Sequence, residues 1–133
     1  MAYDAAATED IPLIDLYETE LPAEHDIRDI DDALDLDQMR VKIWYFEPGE
    51  EIQPHAHAKQ EELYYVLEGE FELTLGDPDE SETKTISEGS FYVAGPETGH
   101  GHRYVGDDRG AILAIGAPQA DDPGRDPREF QTE

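Results

Sequence analysis

At 133 residues the chain is long enough to bury one hydrophobic core and too short for two, so one domain carrying one site is expected. It contains no cysteine, which excludes disulfides, thiolate zinc sites and cysteine nucleophiles, and its 34 acidic against 9 basic residues give a formal net charge of -25 that repels nucleic acid. No apolar run approaches the roughly 20 residues that span a bilayer, and the acidic N-terminus lacks the basic and apolar regions of a signal peptide, so a cytoplasmic protein with no membrane partner is expected.

Residues 1–10 are small and acidic without periodicity and read as a flexible N-terminus. Ile11 to Leu16 predicts a short edge strand interrupted at Pro12. From Pro22 to Asp37 the density of aspartate favours turns and caps over helix interiors, so this stretch is expected to be irregular, with His25 at the surface. Met39 to Glu47 then alternates Val41, Ile43 and Tyr45 with Lys42, Trp44 and Phe46, the pattern of a long strand with two opposed faces. Pro48-Gly49 turns the chain, and strands are predicted over residues 52–57, 62–67, 70–75, 84–86, 90–94, 100–105 and 111–115. Residues 117–133 carry prolines among charges and read as a strap or tail beyond a domain of residues 11–116. Many short strands at this spacing predict an all-β antiparallel sandwich or barrel. The acids are scattered along the whole chain rather than gathered in a tail, which predicts a charged folded surface of the halophilic kind, whose self-repulsion concentrated salt would screen.

The stretch Gly49 to Gly69 carries the chemistry. Side chains two apart on a strand share a face, so His55 and His57 can share one ion, and a carboxylate at the entrance of the apolar strand that follows can complete a half-shell. Glu61 and Glu62 both stand at a suitable distance from His57. Two imidazoles facing a barrel interior without a metal would be difficult to satisfy, which favours the metal over a purely structural role.

Gly49, five residues, His55-Ala-His57, four residues, Glu62, six residues and Gly69 reproduce without a gap the first motif of the cupin family, G(X)5HXH(X)3-4E(X)6G, and the chain resembles that family over about Met39 to Ile115. The second motif, G(X)5PXG(X)2H(X)3N, is matched at Gly89 and His100, with Gly95, Glu97 and Tyr104 standing where its proline, second glycine and asparagine are expected. The resemblance implies a cupin-type antiparallel β-barrel, a jelly-roll-like double-stranded β-helix. It also implies that Glu62 rather than Glu61 is the carboxylate ligand and that His100 joins His55 and His57.

Three neutral imidazoles and one carboxylate suit one divalent transition metal ion, whether iron, manganese, nickel, cobalt or zinc. The expected ligand is a small oxygenated or carboxylated molecule, acted on by dioxygenase chemistry or by isomerisation or decarboxylation. The alternative is a non-catalytic barrel that binds or senses a small molecule. His102 and Tyr64 are candidate catalytic groups, and Gln53, Arg103 and Tyr45 are candidate substrate-binding groups. A homodimer is expected, because Val41 and Ile43 lie opposite Trp44 and Phe46 and one of these apolar faces needs a cover beyond the barrel core.

Overall fold

A computed structural model describes residues 4–15, 26–119 and 124–130. Within them are ten strands: β1 (Leu13–Asp15), β2 (Asp26–Asp29), β3 (Arg40–Phe46), β4 (Glu51–His55), β5 (Glu61–Glu68), β6 (Glu70–Leu75), β7 (Glu82–Ser87), β8 (Phe91–Ala94), β9 (His100–Tyr104) and β10 (Gly110–Ala117). They form two antiparallel sheets, one in the order β1-β2-β3-β10-β5-β8 and one in the order β4-β9-β6-β7. This is the all-β antiparallel barrel expected from the sequence. The apolar residues of β6 show why it closes: Phe71 and Leu73 are fully buried while Glu70 is exposed, a period-two pattern that gives the strand one face for the core and one for water. Phe71 meets Phe46 of the opposite sheet edge-on with ring centroids 5.1 Å apart, and Val66 and Ile112 fill the space beside them.

The two faces of β3 are separated as the alternation predicts, but both are covered by the chain itself. Phe46 joins the core and Trp44 packs against it. On the other face Val41 and Ile43 are buried. Tyr45, on that same face, accepts a hydrogen bond from Arg28 Nε at 3.0 Å, and Arg28 also donates to the carbonyls of Thr8, at 3.0 Å, and Ile11, binding the N-terminal segment against the sheet. The cover expected from a partner subunit is therefore supplied intramolecularly.

Two other expectations need correction. The aspartate-rich stretch is not irregular in its described part: Asp26–Asp29 pairs in register with β3, Ile27 opposite Trp44, and a single helical turn, Ile30–Ala33, follows. Cross-strand pairing outweighs the poor strand propensity of aspartate here, and Asp29 becomes the cap, its Oδ1 accepting from Asp32 N at 3.3 Å. The predicted strand over residues 52–57 ends at His55. Beyond it Ala56 exchanges two backbone hydrogen bonds of 2.8 Å with Arg125, so a C-terminal strap lies across the end of β4. Leu16 and His25 lie outside the described residues.

Candidate metal centre

Three strands and one loop bring four side chains together. His55 ends β4, His57 follows the Ala56 bridge, Glu62 is the second residue of β5, and His100 opens β9 in register with His55. One potential ligand atom from each lies within 4.8 Å of all the others. Nε2 of His57 contacts Oε1 of Glu62, and Nε2 of His100 and His55 lie 3.7 and 4.0 Å from the same oxygen. Glu62 Oε1 is buried yet accepts no well-directed hydrogen bond among the described residues. A buried oxygen left in this condition, with three imidazole nitrogens converging on it, is the arrangement of donors around a common centre.

The tautomers suit the same purpose. Nδ1 of His55 is 3.0 Å from the carbonyl of Gln53, and Nδ1 of His100 is 2.9 Å from that of Thr98. A carbonyl can only accept, so each Nδ1 carries the proton and each Nε2 presents its lone pair to the cluster. Burial lowers the His55 pKa to about 4, assisted by the neighbouring His100, so this imidazole is neutral at physiological pH. Burial would raise the Glu62 carboxyl, but the His100 and His57 rings facing it overcome this and hold the group well below the usual carboxylate range. The donor set is thus three imidazoles and one carboxylate, which fits a borderline divalent transition metal ion and neither an all-oxygen calcium shell nor a thiolate site.

Tyr64 lies beside the cluster, its hydroxyl donating to Glu62 Oε2 and standing 3.1 Å from Nε2 of His100. Burial, with the Glu62 charge, raises its pKa well above the ordinary value, so the phenol keeps its proton. His102 is buried one pleat repeat further along β9, with its ring against Tyr64, Phe46 and Phe71 and its Nδ1 bonded to the hydroxyl of Tyr92. It lines the same cavity as His55, His57 and Glu62 but is not one of the four converging groups. Gln53 lines the cavity above the cluster.

Two candidates are misplaced by the sequence reading. Arg103 follows His102 by one residue and therefore points the other way, exposed and 3.4 Å from Glu72. Tyr45 lies on the outer face of β3 between the guanidinium groups of Arg28 and Arg109, 5.7 and 4.9 Å from its ring centre. Neither lines the cavity. Reasoning from the sequence also missed Tyr92, although its position between Phe91 and Val93 on a short alternating strand was a readable signal.

The cavity above the cluster has a volume of about 1070 Å³, slightly above the roughly 300 to 1,000 Å³ common for small-molecule sites. The cupin domain family matches residues 42–116 of this chain. No curated protein matches it. Among solved structures it is similar to the polyketide cyclase RemF from Streptomyces resistomycificus, at 23% identity and a TM-score of 0.75, covering 96% of this chain and 91% of that one. It is also similar to KdgF from Halomonas sp., at 22% identity and a TM-score of 0.69 with 86% and 94% covered. A third is a putative sugar phosphate isomerase from Acidithiobacillus ferrooxidans, at 24% identity and a TM-score of 0.68 with 92% and 85% covered. At these identities the likeness establishes the shared fold.

Proposed function

The chain belongs to the cupin domain family, and on that premise we propose that it is a metal-dependent enzyme acting on a small oxygenated or carboxylated molecule. The observation that carries this reading is the convergence of His55, His57, Glu62 and His100 on one point at the base of a large cavity. These four residues would hold one divalent ion of iron, manganese, nickel, cobalt or zinc. Bound there, the ion would supply either redox chemistry for a dioxygenase or Lewis acidity for an isomerase or decarboxylase.

The chain's own groups define what surrounds that chemistry. Tyr64, kept protonated, can donate to an oxygen atom brought to Glu62 or His100. Phe46 and Phe71 pack edge-on against the ring of His102, which lines the cavity. Gln53, at the cavity wall, is placed to orient a polar substituent.

The test is turnover. Protein stripped of metal and reconstituted separately with iron, manganese, nickel, cobalt and zinc is incubated with small hydroxy and keto acids while oxygen uptake, carbon dioxide release and isomer formation are followed. Metal-dependent consumption of a compound supports an enzyme, with oxygen uptake marking the dioxygenase branch. Tight binding without turnover under every metal would support the binding or sensing alternative.

A further inference from the structure

The two oxygens of the Glu62 carboxylate meet different surroundings. Oε1 faces the imidazoles: Nε2 of His57 contacts it, and Nε2 of His100 and of His55 lie 3.7 and 4.0 Å away. Oε2 instead accepts a hydrogen bond from the hydroxyl of Tyr64. The carboxylate is thus divided, with one oxygen toward the cluster and the other toward a phenol.

Sheet register explains why a phenol has this task. Glu62 and Tyr64 stand two apart on β5 and project from the same face. The residues paired with Glu62 on either side, which share that face, are Gly116 of β10 and Ala94 of β8. Neither carries a polar side chain, and neither is large enough to hold a carboxylate by packing. Orienting Glu62 within the sheet therefore falls to the next residue along its own face. Tyr64 is in turn firmly held: its ring stacks on Tyr92 with centroids 4.4 Å apart and planes 14° from parallel, and the ring of His102 meets it at 5.2 Å and 68°. The buried Tyr92 and His102 are themselves joined, hydroxyl to Nδ1. Packing of this kind locks the Tyr64 rotamer and so fixes where its hydroxyl stands.

That hydroxyl has one proton to give and two acceptors within reach, Glu62 Oε2 and, at 3.1 Å, Nε2 of His100. The Nδ1 of His100 already donates to the Thr98 carbonyl, so Nε2 holds a lone pair that an ion at the cluster would occupy. With that lone pair taken, the phenol proton is committed to Oε2. Any donation from Tyr64 to a substrate oxygen draws on the same proton and has to take it from Oε2.

We propose that Tyr64 is a positioning residue, its hydroxyl holding Glu62 Oε2 so that the carboxylate offers a bound ion the single oxygen Oε1 and leaves a further position on that ion open to substrate. This rests on the metal reading above and adds to it the residue that sets how Glu62 binds. Partners of this kind, one bond removed from the ion, orient metal-binding carboxylates generally.

The experiment compares wild type with Tyr64→Phe, which removes the hydroxyl and keeps the ring, each loaded with cobalt(II) for visible absorption and with zinc for crystallography. Metal uptake is measured first and separately. Cobalt(II) in a shell with open positions absorbs visible light more strongly than in a filled octahedral one. Wild type is expected to bind zinc through one oxygen of Glu62. In Tyr64→Phe, Oε2 should turn to the ion and the cobalt absorption should fall by roughly twofold or more. Tyr92→Phe, which loses a neighbouring hydroxyl but keeps the stack on Tyr64, should retain the wild-type spectrum. A wild-type crystal structure with both Glu62 oxygens on the zinc would overturn the inference whatever the variants do. So would a Tyr64→Phe protein that takes up metal with the wild-type spectrum, a lower Tm then marking a packing role alone. Equal spectral change in Tyr64→Phe and Tyr92→Phe would overturn it too, because the effect would not belong to one hydroxyl. Each of these results leaves the metal reading standing, whereas failure to take up cobalt, zinc or any other transition metal ion would overturn both.

Discussion

Glu97 is where the chain departs from the second cupin motif with the clearest physical consequence. Its φ is +64°, the left-handed region, at the position where the motif has glycine, and its N–H donates to the carbonyl of His57 at 2.7 Å. The loop keeps the conformation that a glycine would serve and bears a side chain there at a cost of about 1 kcal/mol. Glu97→Gly should therefore raise the stability by about 1 kcal/mol, read as a higher Tm, and an unchanged or lower Tm would contradict the assignment of strain. His55 gives a second prediction, for the metal-free protein. Its folded pKa of about 4 lies below the ordinary 6.5, so the unfolded chain binds the proton more readily. The corresponding stability is fully present above pH 6.5 and is lost as the pH falls toward 4, by about 3 kcal/mol at the limit. Chelator-treated His55→Asn should show a shallower fall in Tm across that window than wild type, and parallel curves would contradict it.

At the scale of elements, the C-terminal strap is the piece that connects the site to the rest of the chain. It bonds to Ala56 between the two first histidines, and buried Pro127 lies where a side chain on Gly99, the residue before His100, would have to go. Gly124 passes so close to His55 that a Cβ there would stand 3.0 Å from the ring carbon Cδ2. Gly124→Val should displace either the strap or the imidazole and weaken metal affinity by roughly tenfold, measured by competition with a chelator, while an unchanged affinity would show that the strap does not position His55. The strap was readable only in outline. Its prolines excluded a further strand, but its docking at Ala56 is a long-range pairing without a local signal. The metal cluster was far more legible, because its four residues fall in two short motifs whose spacing survives translation into strands. Arg103 was misread for a simple reason: parity on β9 places it opposite His100 and His102. Tyr45 has correct parity with Val41 and Ile43, but alternation alone does not say which face of a strand is inward when both are apolar.

At the scale of the whole molecule, the outer face of the six-stranded sheet stands apart from the rest of the surface. Leu63, Tyr65 and Leu67 of β5 project there beside Phe91 and Val93 of β8, which are 63% and 56% exposed. These five positions include no acid, in a chain where 34 of 133 residues are acidic. We propose that a second copy covers this face. Two molecules each of net charge -25 can approach closely only where their acids are absent, and among the described residues β8 ends its sheet, so its edge can pair across a two-fold axis. Light scattering in concentrated salt should give a dimer that Phe91→Glu with Val93→Glu converts to a monomer, and a monomeric parent would contradict the proposal. The central claim, that four side chains from three strands and one loop act as one metal site, is tested most directly by metal analysis of protein purified without a histidine tag. One equivalent of a transition metal per chain is predicted, lost in His57→Ala and in Glu62→Ala and retained in Arg103→Ala; full occupancy in either ligand variant would contradict the account.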